Sequence, residues 1–250
     1  MVDPIAFTIG SLEIRWYGII FALGFLIGIY IAAKIAKSKG INPEIIYDLM
    51  VYLIPASVIG ARLFEVLVYE PSYYFANPSE IIAVWHGGMS IHGGIIGAVI
   101  ATLIFCKKRN IHFYTLADIL AIPLAFGLFL GRIGNFLNQE LYGRYTNLPW
   151  GITFNGVEGK RHPTQIYSSL KNLIVFFILL KLNKIKDLPR GFLFWSFLLM
   201  YSIIRFFIEF LKDTKIIFWN LNLSQLIILP TIILSAIVLY NIYKKNSKSL

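Results

Sequence analysis

Residues 16–33 read W-Y-G-I-I-F-A-L-G-F-L-I-G-I-Y-I-A-A, eighteen positions without one charged side chain. At about 1.5 Å of rise per residue this run makes a helix about 27 Å long, close to the roughly 30 Å of hydrocarbon in a bilayer. Asp3 and Glu13 precede it in place of a basic segment, so it does not resemble a cleaved leader and is expected to remain as a first span. Six more apolar runs follow, at about 45–68, 89–106, 115–135, 166–182, 191–211 and 223–243. Composition agrees: of 250 residues 57% are apolar and 14% charged, with a mean hydropathy of +0.69, where a soluble domain carries about a quarter charged residues. The expected fold is an all-α integral membrane protein, a single membrane domain over 1–250 with seven transmembrane helices.

The net charge of +10 is explained by where the basic residues stand, and nucleic acid is not an expected partner. Clusters follow the first run (Lys34, Lys37, Lys39), the third (Lys107, Lys108, Arg109), the fifth (Lys181, Lys184, Lys186, Arg190) and the seventh (Lys244, Lys245, Lys248), 13 of the 23 basic residues. The opposite side holds six, Arg15, Arg144, Lys160, Arg161, Lys212 and Lys215. The side richer in Lys and Arg stays cytoplasmic, so the N-terminus is expected outside and the C-terminus inside. One cysteine, Cys106, excludes a disulfide framework and a thiolate cluster, and the four histidines lack zinc-site spacing. No metal or cofactor is expected.

The longest connection, about 136–165, then lies outside as a small cap. It is rich in turn formers such as Asn138, Gly143, Pro149 and Gly156, with a hairpin expected at T-F-N-G-V-E-G. A second outer segment, 69–86, carries Tyr69, Tyr73, Tyr74, Phe75 and Trp85, a composition suited to lipid headgroups. No internal repeat is visible, which weakens an inverted-repeat transporter.

Given this topology, polar residues of six spans fall at one depth near the outer face: Tyr17, Arg62 with Glu65, His92, Arg132 with Asn135 and Asn138, Gln165 with Tyr167, and the helix face Tyr201, Arg205, Glu209. Asp48 and Asp118 stand apart at inner helix starts, where a carboxylate suits the helix dipole. An arginine in hydrocarbon costs at least about 2.5–3.5 kcal/mol, so Arg62, Arg132 and Arg205 must face protein, water or an anion, and a cavity open to the outer leaflet is expected. Arg62 with Glu65 and Arg205 with Glu209 also fit structural ion pairs, an even alternative for Arg62. Arg132 has no carboxylate at helical spacing short of Glu140, which favours a ligand anion. The stretch W-H-G-G-M-S-I-H-G-G-I-I-G-A at 85–98 reads first as close helix packing, and His92 alone reads first as a hydrogen-bonded interfacial histidine. His86 is expected to be solvated, and Cys106 and His112 carry no chemistry.

G-R-I-G-N-F-L-N-Q-E-L-Y-G at 131–143 resembles the signature of bacterial prolipoprotein diacylglyceryl transferases. I-R-W-Y-G at 14–18, G-A-R-L at 60–63, G-G-M-S-I-H-G-G at 87–94, H-P-T-Q-I-Y at 162–167 and the Tyr201, Arg205, Glu209 face resemble further family motifs, in the family's order. The resemblance implies seven spans in a bacterial cytoplasmic membrane. It also implies transfer of the diacylglyceryl group of phosphatidylglycerol to the lipobox cysteine thiol of a prolipoprotein signal peptide, forming a thioether and releasing glycerol phosphate. By the same resemblance His92 matches the candidate base, Arg132 and Arg205 the phosphate-binding arginines, and Tyr17 a further catalytic position. Asn135, Glu140, Gly143, Tyr201 and Glu209 match substrate-binding positions, and Arg62 is grouped with them by depth. Two departures stand out: the cap is short, and His86 occupies a place where the family does not require histidine.

Three other readings fit parts of the pattern, and one of them, a different membrane transferase using the same lipid donor, is opposed only by the family signature. An anion transporter would also use intramembrane arginines, but a path across the bilayer needs polar groups at several depths. A headgroup-binding assembly factor would not need a histidine beside the arginines.

Overall fold

In lipid every backbone N–H and C=O must find a partner within the protein, so each long apolar run is driven into a helix. The computed structural model, which describes residues 3–10 and 12–247, bears this out. Lys248, counted above in the last basic cluster, lies outside the described residues. The helices are α1 (Trp16–Ser38), α2 (Glu44–Phe64), the short α3 (Pro71–Ala76), α4 (Ile91–Arg109), α5 (Phe113–Leu137), α6 (Thr164–Leu182), α7 (Phe192–Glu209) and α8 (Leu223–Ser247). Among the described residues seven helical segments are long and apolar enough to cross a membrane, one of them Glu44–Tyr69, where a π-helical turn, Glu65–Tyr69, extends α2. Their flanks leave large apolar side chains such as Leu26, Val51, Phe177 and Ile237 exposed, as a lipid-facing surface requires.

Two antiparallel hairpins were not expected from sequence. β1 (Ile5–Ile9) pairs with β2 (Leu12–Arg15) just before α1, and β3 (Ile216–Phe218) with β4 (Leu221–Asn222) between α7 and α8. The chain packs as two units, Ala33–Leu116 and the remainder, and each is described by itself.

In the unit Ala33–Leu116, α2 lies against α4 through small residues. A Cβ at Gly93 would overlap the Gly60 carbonyl and Phe64, and one at Gly97 would overlap the Ala56 carbonyl. Bare backbone at these positions lets the two helices touch, as in small-residue membrane packing. At the far end of the same pair Arg109 meets Asp48 in an exposed ion pair. At the near end Ser90 N-caps α4, its Oγ accepting from the Gly93 N–H at 3.5 Å.

In the other unit, Asp118 serves the start of α7. Its carboxylate accepts the backbone N–H groups of Gly191 (2.7 Å) and Phe194 (2.8 Å), so the dipole it matches is that of α7. The 138–163 connection folds around buried Phe154, which stacks on Tyr142 at 5.0 Å. Ile152 and Arg161 bond reciprocally across the T-F-N-G-V-E-G loop (3.0 and 2.8 Å), and Gly156 and Gly159 turn it with φ of +70° and +71°. These are isolated bridges, so the expected hairpin is a pinned loop without strands. At its base Gly143 donates to the His162 carbonyl (2.8 Å) and Arg144 to that of Leu211 (2.9 Å).

Two tests follow from this packing. Gly97→Leu should force α2 and α4 apart and lower stability by at least about 1–3 kcal/mol, whereas Gly127, which has open space where a Cβ would stand, should tolerate Ala; thermal midpoints in detergent that fall equally for both would contradict the close-packing account. Burial, with Arg144 adding to it, holds the His162 imidazole below the usual histidine range. The unfolded segment therefore takes up a proton before the folded one does, and the cap loses stability as pH falls below about 6.5. Amide exchange at Gly143 and Arg144, corrected for intrinsic rates, should speed up between pH 7.5 and 5.5, and His162→Gln should remove that dependence.

Candidate active site

α5, α6 and α7 bring a group of charged and polar side chains together. Near the end of α5, Arg132 donates from Nη1 to Asn135 Oδ1 (3.4 Å), and Asn135 Nδ2 donates to Glu140 Oε1 (2.7 Å). Glu140 is thus linked to Arg132 through the amide, and Arg132 forms no direct ion pair among the described residues. On α7, spacing of four puts Tyr201, Arg205 and Glu209 on one face. Arg205 donates from Nη1 to Tyr201 Oη (2.8 Å) and from Nε to Glu209 Oε1 (3.3 Å).

The same Glu209 oxygen takes Lys212 Nζ at 2.7 Å. With 2% of its surface exposed, Glu209 would be costly to ionise without these two cations. Burial pushes the Lys212 ammonium below the usual lysine range, and Glu209 opposes the shift. Lys171, in the body of α6, completes the group: it is buried, its Nζ lies 3.4 Å from the centre of the Tyr201 ring, and the charges that reach it are Arg205, Arg132, Lys212 and Glu209. Arg132, Arg205, Lys212 and the Lys171 amino group therefore gather where Glu209 and the more exposed Glu140 are the carboxylates. Tyr201 accepts from Arg205, so its own hydroxyl proton remains available to an anion.

Around this group the expected positions find distinct roles. Tyr17, at the start of α1, packs on Gly134, where a Cβ would come within 2.8 Å of its ring. Gly143 has no room for a side chain: a Cβ there would collide with the Leu211 carbonyl, Thr164 and His162. Gln165 donates to the Glu140 carbonyl at 2.7 Å and Thr164 to that of Leu141 at 2.9 Å, holding the end of the 131–143 signature against α6.

His92 and Arg62 belong to the other unit. His92 is exposed on the first turn of α4, flanked by Phe64, with Nδ1 2.8 Å from Tyr69 Oη. When Nδ1 donates to Tyr69, Nε2 keeps the lone pair that a base requires. Tyr69 reaches this place at the end of the π-helical turn. Arg62 faces protein. Its guanidinium is taken by five backbone carbonyls, those of Glu80, Ile81 (3.0 Å), Ala83 (3.1 Å), Gly87 and Gly88 (2.7 Å), above the Tyr74 ring at 4.8 Å. Among the described residues Arg62 forms no ion pair with Glu65, and its donors hold the 80–88 segment that leads into α4. His86 is exposed and paired with Glu80 at 2.9 Å.

Sequence reasoning had passed over Lys171, Lys212 and Tyr69. For Lys171 the signal was present, a lysine within an apolar run, subject to the same cost as the arginines.

Known proteins are similar to this chain in sequence over most of its length. The family model described as prolipoprotein diacylglyceryl transferase matches residues 4–241. A phosphatidylglycerol--prolipoprotein diacylglyceryl transferase of Finegoldia magna is 40% identical over 245 residues, 98% of this chain and 97% of that protein. Proteins of the same name from Aeromonas hydrophila (38% identical, covering 98% of this chain and 92% of the relative) and Geobacter sulfurreducens (40%, covering 85% and 83%) are similar. The chain belongs to the prolipoprotein diacylglyceryl transferase family.

Proposed function

We propose that this protein transfers the diacylglyceryl group of phosphatidylglycerol to the lipobox cysteine thiol of a prolipoprotein signal peptide, with release of glycerol phosphate. The observation that carries the reading is the full-length likeness to relatives bearing that enzyme name. The cluster of cations supports it, since the donor lipid is an anion that lies in the leaflet beside these helices. The chain is read as one membrane domain in a bacterial cytoplasmic membrane. The excess of Lys and Arg on one side argues for an outer N-terminus and a cytoplasmic C-terminus, which would set the 138–163 cap on the face where exported substrates arrive.

In this reading Arg132 and Arg205 hold the phosphate, and the fixed geometry of their planar forks suits its oxygens. Glu209 and Asn135 orient the two guanidiniums, and Tyr201 offers a further donor. Tyr17 and Glu140 border the phosphate-holding residues, and Gly143 permits the backbone to close around them. His92, in the tautomer set by Tyr69, takes the proton of the lipobox thiol. The sulfur then attacks the glyceryl carbon, the carbon–oxygen bond breaks, and its electron pair leaves with the phosphate, whose growing charge the donors stabilise. Arg62 acts at a distance, by holding the loop before α4.

Purified protein given phosphatidylglycerol and a lipobox peptide should add the mass of a diacylglyceryl group to the peptide; no addition would sink the reading. Arg132→Lys keeps the charge and loses the fork, so turnover should fall sharply in a folded protein, and near-normal turnover would count against bidentate phosphate binding. His92→Gln should lose about 10²–10⁴-fold and lose the acid limb of the pH–rate profile as well, while His86→Gln should lose little; a mutant that keeps the acid limb would move the base elsewhere.

A further inference from the structure

Lys171 sits about 10 Å along α6 from its first residue, at 1.5 Å per residue, and 4% of its surface is exposed. A lysine near a helix end ordinarily runs its stem to the headgroups; this one is turned inward. Among the described residues no carboxylate lies within ion-pair distance of its Nζ and no oxygen accepts from it; its partner is the face of Tyr201 at 3.4 Å. That ring is itself fixed, because its hydroxyl accepts from Arg205. The one buried carboxylate nearby, Glu209, is occupied by Arg205 and Lys212. A buried amino group held on a tyrosine face, beside cations that already satisfy the local carboxylate, is placed to carry its proton as a cation when an anion joins the group.

The transfer reaction proposed above supplies that anion, and the inference rests on it. In phosphatidylglycerol the phosphate is a diester with one negative charge. As sulfur bonds to the glyceryl carbon, the carbon–oxygen bond breaks and its electrons stay on the phosphate oxygen; the thiol proton goes to the base, and glycerol phosphate departs as a monoester. Above its second pKa, about 6, a phosphate monoester is close to a dianion. We propose that Lys171 is a third phosphate-site cation that holds the second negative charge gained by the phosphate as the bond breaks. Its contribution is therefore larger in the transition state and product than in the bound lipid, and it raises kcat more than it lowers KM.

The test compares wild type with Lys171→Met, which keeps the length of the stem, in the same lipobox assay at pH 8. Two inhibitors are used: glycerol phosphate, a dianion there, and its methyl diester, a monoanion. Wild type should bind the dianion at least about tenfold more tightly than the diester, a hydrogen-bonded charge pair being of that size. Lys171→Met should weaken glycerol phosphate about tenfold or more and the diester less than about threefold, and kcat should fall while KM for phosphatidylglycerol stays within about threefold. Equal weakening of both inhibitors, weakening of neither, or a rise in KM at unchanged kcat would overturn the inference. If Lys171→Met does not insert, Lys171→Gln takes its place, and a wild type that does not distinguish the two inhibitors overturns the inference without any variant. Failure of the broader reading looks different: wild type would not modify the peptide at all.

Discussion

One carboxylate oxygen, Glu209 Oε1, holds two cations in a place where 2% of the residue meets solvent. Charges removed from water are tolerated only when paired with good geometry, and breaking a buried pair leaves the survivor costly. Arg205 is fixed by this contact and by Tyr201, Tyr201 in turn seats Lys171, and the resulting excess of positive charge is what an anionic lipid would neutralise. Positions on α5 obey the same constraint more loosely, since Arg132 reaches Glu140 only through Asn135.

The scaffold works by removing side-chain volume in some places and spending backbone carbonyls in others. Gly60, Gly93 and Gly97 allow α2 and α4 to touch, and Gly143 lets the cap close on Leu211 beside Lys212. Arg62 gathers five carbonyls from residues 80–88, a segment of short 3-10 turns, so a charged residue adds to the turn hydrogen bonds that hold it. In the other unit, Asp118 ties the start of α7 to α5 and so fixes the helix that bears Tyr201, Arg205 and Glu209.

Much of this was legible in the sequence, because hydrocarbon thickness and the cost of charge impose strong patterns. All seven spans were expected within a few residues. The helix α1 continues to Ser38, past the apolar run ending at 33, since lipid thickness limits the apolar stretch and not the helix, which carries on through Lys34 and Lys37. What escaped reading lacks a local pattern. The hairpin β3–β4 turns at Trp219 and Asn220, with φ of +45° and +62°, and a tryptophan is not a residue that announces such a turn. The carbonyl cage of Arg62 leaves no trace in side-chain identity, so spacing pointed to Glu65. Tyr69 meets His92 only because a π-helical turn shifts it, and i, i+4 spacing does not anticipate that. The depth argument gathered the arginines, yet Lys171, under the same energetic rule, was not given a role.

The half-buried cations Arg132 and Arg205 await an anionic headgroup. Native mass spectrometry of protein extracted from membranes of mixed lipid tests it most directly. Wild type should retain phosphatidylglycerol in preference to the zwitterionic phosphatidylethanolamine, and a folded Arg132→Gln, Arg205→Gln double variant should lose that preference. Retention of phosphatidylglycerol by the double variant at the wild-type ratio would contradict the claim.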